Sequence, residues 1–523
     1  MKIARKKGYG SGKRSPAPFS LRASEKGAGL LFPLTRTPFS AALILAMAAC
    51  GPRHATLAPP PPSPSATAVL QKDLSAIFEA PEFQRSLWSV LVQPVSSEST
   101  LYALNPSKLV MPGSNMKLLT LAAAVDRFGW DYRFETRFAA SAPVDSGVLR
   151  GDLFIIGGGD PSISERSDER GILRGLAQQI RERGIREIEG RIIGNDDAFD
   201  EQELGAGWAW DNLPYGYAAP VSALEYNEGS VDLVVKAGAA PGAPVELQVR
   251  PEGSALEVEN RLVTVAESGE GMLTMERLPG SLRLIVRGQI PANAPSFVRT
   301  ASVDNPTQFF ASAFRNALVA EGVQVDRGAL DMDFVLPTPD LTAARTLAVR
   351  RSPPLAQLAV SMMKVSQNQY AELLLRALGG RQAARDRLTA MGIDEASYVM
   401  ADGSGLSRYN YVTDETLVKI LRRFQQRPGD AAAFGATLPI AGRDGTLAGR
   451  MVGTPAEGKV RAKTGTVDNL RAISGYVEDA DGEVLVFSII ANNFALPSAQ
   501  VVAAADKALI RLATFTRSNN VQH

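Results

Sequence analysis

Histidine is nearly missing from this 523-residue sequence: there are two, His54 in a Pro-rich stretch near the start and His523 at the very end. A Ser-His-Asp triad or a histidine-held metal in the folded body is therefore excluded. Cysteine is scarcer still. Cys50 is the only one, so no intrachain disulfide forms, and a catalytic thiol would have to lie in the apolar leader that ends there. Net charge is small, +1 overall, and misleading: residues 1–49 carry nine Lys/Arg against one acid, and without them the remainder is about −7. The body offers no basic face for nucleic acid. A serine enzyme built from what is left must take its general base from elsewhere, and lysine is the natural candidate if its pKa is lowered.

What is present is an ordinary globular composition, 45% apolar and 21% charged, in a chain too long for one core, so at least two domains are expected. Residues 1–50 read as an export signal: SAALILAMAAC at 40–50 is an apolar run of small residues behind a basic segment, too short to span a bilayer. Its end, MAAC, resembles a lipoprotein cleavage box in which Cys50 becomes the lipidated first residue, although Met47 stands where leucine is usual. Cleavage after Ala48 would instead release a soluble protein. The basic part is unusually long, which also fits a start site further downstream. Residues 51–68, GPRHATLAPPPPSPSATA, suit a stiff tether.

Beyond the tether, ATAVLQKDLSAIFEAPEFQR predicts an amphipathic helix, and SLWSVLVQPV and STLYALN predict two strands joined by a polar turn. A second helix begins near Ser114, after Pro112-Gly113, and stops at Gly129. At the other end GKVRAKTG, RAISGYVE and EVLVFSIIAN predict an antiparallel meander, followed by a helix in SAQVVAAADKALIRLATF. The two ends thus make one α/β domain, 69–145 with 345–515, an antiparallel sheet of about five strands flanked by helices. Between them, ILRGLAQQIRERGIREIEGRIIG and PTQFFASAFRNALVAEGVQVDRG are helix-Gly-strand units of an inserted domain over 146–228 and 285–344. Short alternating runs (VDLVVKA, VELQVR, LRLIV) predict a small β module nested at 229–284, and 516–523 form a polar tail. Gly157-Gly158-Gly159-Asp160 lacks both the Lys-Ser/Thr of a P-loop and the GxGxxG spacing, and reads as a tight turn.

Two Ser-x-x-Lys patterns compete for the nucleophile: Ser114/Lys117 in PGSNMK and Ser361/Lys364 in SMMK. Residues three apart share a helix face, so Lys117 reaches back to the Ser114 oxygen. In the first helical turn, free N–H groups also favour developing negative charge. Ser361 falls about two turns into an apolar helix, packed or bonded back to its own helix. Ser366-Gln367-Asn368 and Lys463-Thr464-Gly465 follow. Lys117 must be neutral to take the Ser114 proton, which means lowering a pKa of about 10.4 by about three units, or roughly 4 kcal/mol, through burial and a second cation at Lys463. Ser366 is then a relay to a leaving amine, and Asn368 holds Lys117 and a substrate backbone. Lys463 and Thr464 offer charge and hydroxyl to a substrate carboxylate, while Gly465 clears room for strand-like docking. The N–H groups of Ser114 and Thr466 make an oxyanion hole. The scheme calls for no cofactor and no metal.

Ser-x-x-Lys, Ser-x-Asn and Lys-Thr-Gly in this order resemble the motif set of penicillin-binding proteins and class A β-lactamases, with Gln367 where Asp is common. Together with GDLFIIGGGDPS, the GWAWD to SALEYN segment, SPPL, MMKVSQNQYAE, DGSGLSRYN, GRDGTL and FSIIANN, they make the chain from about 69 to 515 resemble the D-Ala-D-Ala carboxypeptidase/endopeptidase family, the class C, type-4 low-molecular-mass penicillin-binding proteins. The 252 residues from Ser114 to Ser366 fit that family's two-domain insertion and are too many for a class A β-lactamase.

The resemblance implies a penicillin-binding-protein/serine β-lactamase-like transpeptidase domain, with Ser114 acylated, Lys117 its base, Ser366 and Asn368 the second motif and Lys463-Thr464-Gly465 the strand motif. Lys364 fills the family's lysine ahead of Ser-x-Asn, so SMMK is incidental. Trp208 and Asp211 match a Trp-x-x-Asp loop that receives the free amine of diaminopimelate. A structural aromatic beside a surface acid is the other reading, because Trp210 blurs the alignment. Peptidoglycan stem peptides are the implied substrates and β-lactams the covalent inhibitors. The implied location is exported and periplasmic, with the membrane reached only through a lipid at Cys50. A serine β-lactamase or esterase on the same scaffold, and a non-catalytic wall-binding lipoprotein, are the alternatives.

Overall fold

The computed structural model describes residues 65–166 and 171–517. The export signal, Cys50 and both histidines lie outside the described residues. Ser65 caps the first helix, Ala66–Phe78, by accepting the Ala68 N–H at 3.2 Å, so regular structure starts inside the expected tether. Strands Leu87–Pro94 and Tyr102–Leu104 follow, and the C-terminal runs form Val460–Val467, Leu470–Glu478 and Val484–Asn492.

These five make one antiparallel sheet, ordered Tyr102–Leu104, Leu87–Pro94, Val484–Asn492, Leu470–Glu478, Val460–Val467. The central strand Val484–Asn492 is apolar apart from Ser488 and Asn492 because both its faces are covered. Leu485, Phe487, Ile489 and Ala491 pack with the helices Ala66–Phe78 and Ser498–Ala513, while Val486 and Ile490 face the core that contains Met116–Phe128. Two strands from the front of the chain and three from the back therefore close one domain, as the apolar runs predict.

On the Val486 side the core also buries a chain of polar groups. Asn115 Nδ2 donates to Ser474 Oγ at 2.8 Å, Ser474 and Ser488 share a hydrogen bond at 2.8 Å, and the carboxyl group of Asp414 meets Ser488 and Ser89. Ser89 Oγ also bonds the Asn105 carbonyl oxygen at 2.9 Å.

The inserted segment builds a second five-stranded sheet, ordered Ala329–Asp331, Ile192–Asn195, Leu153–Ile156, Glu135–Ala140, Arg345–Arg351. Helices Ile172–Glu182 and Pro306–Ala320 pack on it through Leu173, Leu176, Phe309 and Phe310. Its two outermost contributions in sequence, Glu135–Ala140 and Arg345–Arg351, pair with each other. The sheet thus crosses the expected divisions at 145/146 and 344/345, taking one strand from each flank. Two three-stranded sheets form the nested β module, and strands Arg283–Pro291 and Phe297–Ser302 carry it past 284.

The triple glycine is closed in rather than open toward a ligand, Gly157 and Gly158 against backbone and Gly159 against the Phe199 ring. A Cβ on Gly157 would lie 2.2 Å from the Ala223 carbonyl oxygen, and one on Gly158 2.3 Å from that of Glu135. Asp160 beside them is buried and accepts from Arg350 at 2.6 Å.

Candidate active site

Met111, Pro112 and Gly113 bring the chain to Ser114 at the end of the first sheet. The Asn492 side chain clamps the approach, accepting from the Met111 N–H at 2.8 Å and donating to its carbonyl at 3.1 Å. Gly113 then turns with φ +52° into a single 3-10 turn, Gly113–Asn115, ahead of the α-helix Met116–Phe128. The expected helical start at Ser114 is therefore this tighter turn. Gly129 closes the helix with φ +74°, donating to the Val125 carbonyl.

Lys117 is fully buried, and its amine meets three oxygens: Ser114 Oγ at 3.0 Å, Asn368 Oδ1 at 2.7 Å and the Ser404 carbonyl at 2.9 Å. Burial lowers its pKa to about 7 against the opposing pull of the Glu372 and Asp402 carboxylates. Lys463, also fully buried, donates to Ser366 Oγ at 2.9 Å and to the Thr464 carbonyl at 2.8 Å. Desolvation, then the Lys117 charge, hold it well below the usual lysine range. The expectation that a charged Lys463 lowers Lys117 is thus reversed. Burial accounts for the depression of Lys117, and it is the Lys117 charge that bears on Lys463.

The second motif bends sharply. Ser366 takes φ +64°, a left-handed conformation uncommon for a residue with a side chain, and Asn368 opens the helix Asn368–Ala377. Asn368 Nδ2 donates to the Tyr217 carbonyl at 2.7 Å, and Gln369 Nε2 to the carbonyls of Ala219 and Pro220 at 2.7 and 3.1 Å. The amide expected to hold a substrate backbone is accordingly held by the inserted segment. Ser361 bonds the Tyr370 phenol, a partner outside its own helix, and Lys364 is paired with Asp444.

On the strand Val460–Val467, Thr464 Oγ1 donates to Thr446 Oγ1 at 2.7 Å. Gly465 has a task beside the one expected. A Cβ there would lie 2.4 Å from the Pro112 carbonyl and 3.3 Å from the Ser114 nitrogen, so its missing side chain lets the Ser114 turn press against the strand. Gly113 meets the same strand from the other side, its Cβ position 3.3 Å from the Thr466 nitrogen. The two N–H groups expected as an oxyanion hole belong to these touching segments.

A cleft of about 380 Å³ opens over this floor, lined by Ser114, Ser366, Asn368 and Thr466 together with Asn212, Tyr217, Gly405, Leu406, Arg408, Val467 and Asp468. From the inserted segment Asn212 and Tyr217 line it, and Trp208 and Asp211 do not. Trp208 is half-buried and donates from Nε1 to Asp402 at 2.9 Å, while Asp211 is exposed near the Tyr217 hydroxyl. The Gly403–Leu406 turn is the largest contribution without a role assigned from sequence. Gly405, at φ +87°, approaches so closely that a Cβ would lie 1.8 Å from the Gly113 carbonyl oxygen. The glycines of DGSGLSRYN were its only signal.

Comparison with known proteins places this site in a lineage. Residues 70–515 match the model of the D-Ala-D-Ala carboxypeptidase 3 (S13) family. A D-alanyl-D-alanine carboxypeptidase of Actinomadura sp. (strain R39) is 35% identical over 468 residues, 85% of each chain. The D-alanyl-D-alanine carboxypeptidase DacB of Haemophilus influenzae is 27% identical over 77% of this chain and 85% of its own. The crystal structure of penicillin binding protein 4 (dacB) from Haemophilus influenzae superposes with a TM-score of 0.72 at 25% identity, covering 85% of this chain and 99% of that one.

Proposed function

The chain belongs to the D-Ala-D-Ala carboxypeptidase 3 (S13) family, and from that premise we propose how this serine D-Ala-D-Ala carboxypeptidase works on peptidoglycan stem peptides. Ser114 Oγ attacks the carbonyl of the penultimate D-Ala while its proton passes to the Lys117 amine. The oxyanion of the tetrahedral intermediate rests on the N–H groups of Ser114 and Thr466. Collapse breaks the amide C–N bond, and the proton returns to the leaving nitrogen with the Ser366 hydroxyl as relay. Water then attacks the ester carbon, frees the shortened peptide and restores Ser114. The leaving group is free D-Ala in the carboxypeptidase reaction and the amine of a crosslink in the endopeptidase reaction, with one acyl-enzyme serving both.

The observation that carries this reading is the buried Lys117 amine 3.0 Å from Ser114 Oγ, with no histidine among the described residues to do its work. Lys463 and Thr464 serve the terminal carboxylate of the substrate, whose negative charge favours the ammonium form of Lys463. The cleft residues Asn212, Tyr217, Arg408 and Asp468 surround the rest of the stem peptide. Among the described residues no helix is long and apolar enough to cross a membrane. The reading includes export to the periplasm, with either lipidation at Cys50 or cleavage after Ala48. The mass of the mature N-terminal peptide decides between the two.

Intact-protein mass spectrometry after incubation with benzylpenicillin tests the chemistry. A lasting single adduct on the wild type and on Ser114-intact Ser361→Ala, lost in Ser114→Ala, is the expected result. No adduct with the drug left intact overturns the reading, and rapid hydrolysis without accumulation replaces it with a β-lactamase.

A further inference from the structure

Glu372 lies four residues after Asn368 on the helix Asn368–Ala377, so the two share a face. Asn368 touches the Lys117 amine directly. Glu372 reaches it at one remove: its Oε1 accepts the Ser404 N–H at 2.7 Å and its Oε2 the Gly403 N–H at 3.1 Å, while the Ser404 carbonyl accepts from Lys117. One helix face thereby governs two of the three oxygens around the catalytic amine.

Resting on the reaction proposed above, we infer that Glu372 is a positioning residue for that reaction: it grips the Gly403–Ser404 turn from behind so that the Ser404 carbonyl meets Lys117, and presents a negative charge to the amine through that turn. Helix geometry explains why a carboxylate is needed. The adjacent N–H groups of Gly403 and Ser404 each meet their own acceptor atom, a pair that one Glu side chain supplies and Gln does not. Thr120 Oγ1 steadies the turn from the other side, donating to the Gly403 carbonyl at 2.8 Å.

The charged neighbours are few. Lys117 faces Glu372, Asp402 of the 400–410 loop and Lys463 of the strand Val460–Val467. Asp402 is spent on Gly405, Ser407, Asn410 and Trp208. On its other side Glu372 borders a cavity of about 500 Å³ shared with Asp200, Arg376, Arg381 and Arg385, where Arg376 is paired with Asp200. Burial pushes the Glu372 carboxyl up to about 7, so its charge changes in the range where Lys117 must give up its own proton. A carboxylate favours the ammonium form. Removing its charge therefore lets Lys117 become free amine at lower pH.

The rate of acylation of the full chain by benzylpenicillin, measured from pH 5 to 9, tests this in wild type, Glu372→Gln and Glu372→Asp, with circular dichroism of each. No adduct in the wild type removes the underlying reaction and is distinguishable from failure of the inference. With the wild type active, Glu372→Gln is expected to move the acid limb down by about one pH unit and to lower the plateau rate about tenfold. Glu372→Asp, charged but too short to span both N–H groups, is expected to keep the limb and lose rate. An unmoved limb in Glu372→Gln, or the same movement in both variants, overturns the inference. If Glu372→Gln does not fold, a wild-type rate and profile in Glu372→Asp overturns it alone.

Discussion

At the scale of single residues the chemistry turns on one amine kept dry. Lys117 has a pKa lowered to about 7 by burial, so the proposed base is ammonium below that pH and free amine above it. Acylation of the wild type should rise as pH increases through about 7 and level off above it. A stopped-flow profile with a limb near 10 instead would mean that the lysine is solvated in solution. The pairing of Ser114 with Lys117 was legible in the sequence, because three-residue spacing on a helix is a local fact. The Ser404 carbonyl was not, since it comes from a point 287 residues away and offers only backbone. Gly465 and Gly405 were visible as glycines, but the segment each makes room for was not. What a missing Cβ makes room for depends on which segment lies against it, and here that segment is the turn at Pro112-Gly113-Ser114 in both cases.

At the scale of elements, the sheet was readable from its apolar runs, whereas its buried polar row was not. Ser89, Ser474 and Ser488 look like ordinary interruptions of strands, yet they lead from Asn115 to Asp414 at the start of the helix Asp414–Gln426. Ser89 Oγ has one proton and two acceptors within reach, the Asn105 carbonyl and the Asp414 carboxyl group, so a proton on that carboxyl group lets both contacts be made at once. Burial raises the Asp414 pKa to about 7, above its unfolded value, which fixes the sign of its contribution to stability. The contribution is fully present below the unfolded carboxylate pKa of about 3.9 and lost as pH rises through about 7. Asp414→Asn should flatten this part of the pH dependence, leaving a variant that is relatively more stable than wild type at pH 8 than at pH 5 in urea titrations. A difference independent of pH would show that the row does not hold a proton. Trp208 is the counterexample among elements. Its motif was legible, but the indole points to Asp402, and the cleft is reached by Asn212 and Tyr217 further along the same loop.

At the scale of the whole molecule, the two ends of the chain close one domain around an insertion whose sheet borrows a strand from each flank. Glu135–Ala140 and Arg345–Arg351 carry no compositional mark of this, because alternating strands look alike whichever sheet they join. The insertion meets the catalytic motif through carbonyl oxygens: Tyr217 on Asn368, Ala219 and Pro220 on Gln369. Gln369→Ala would leave two buried carbonyls without a donor, at a cost of about 1–3 kcal/mol. Limited proteolysis should then cut faster within 200–220, and KM for a stem pentapeptide should rise more than kcat falls. Unchanged cleavage would show that the contact bears no load.

The bond from Asn368 to the Tyr217 carbonyl also orders events in time. A chain whose insertion has yet to fold already carries all three motifs, but its Asn368 is free to swing away from Lys117. On the proposed chemistry, competence to form an ester at Ser114 should therefore wait on the folding of the insertion, and labelling by a β-lactam should report that the insertion has docked, a certificate of completion written into one amide group.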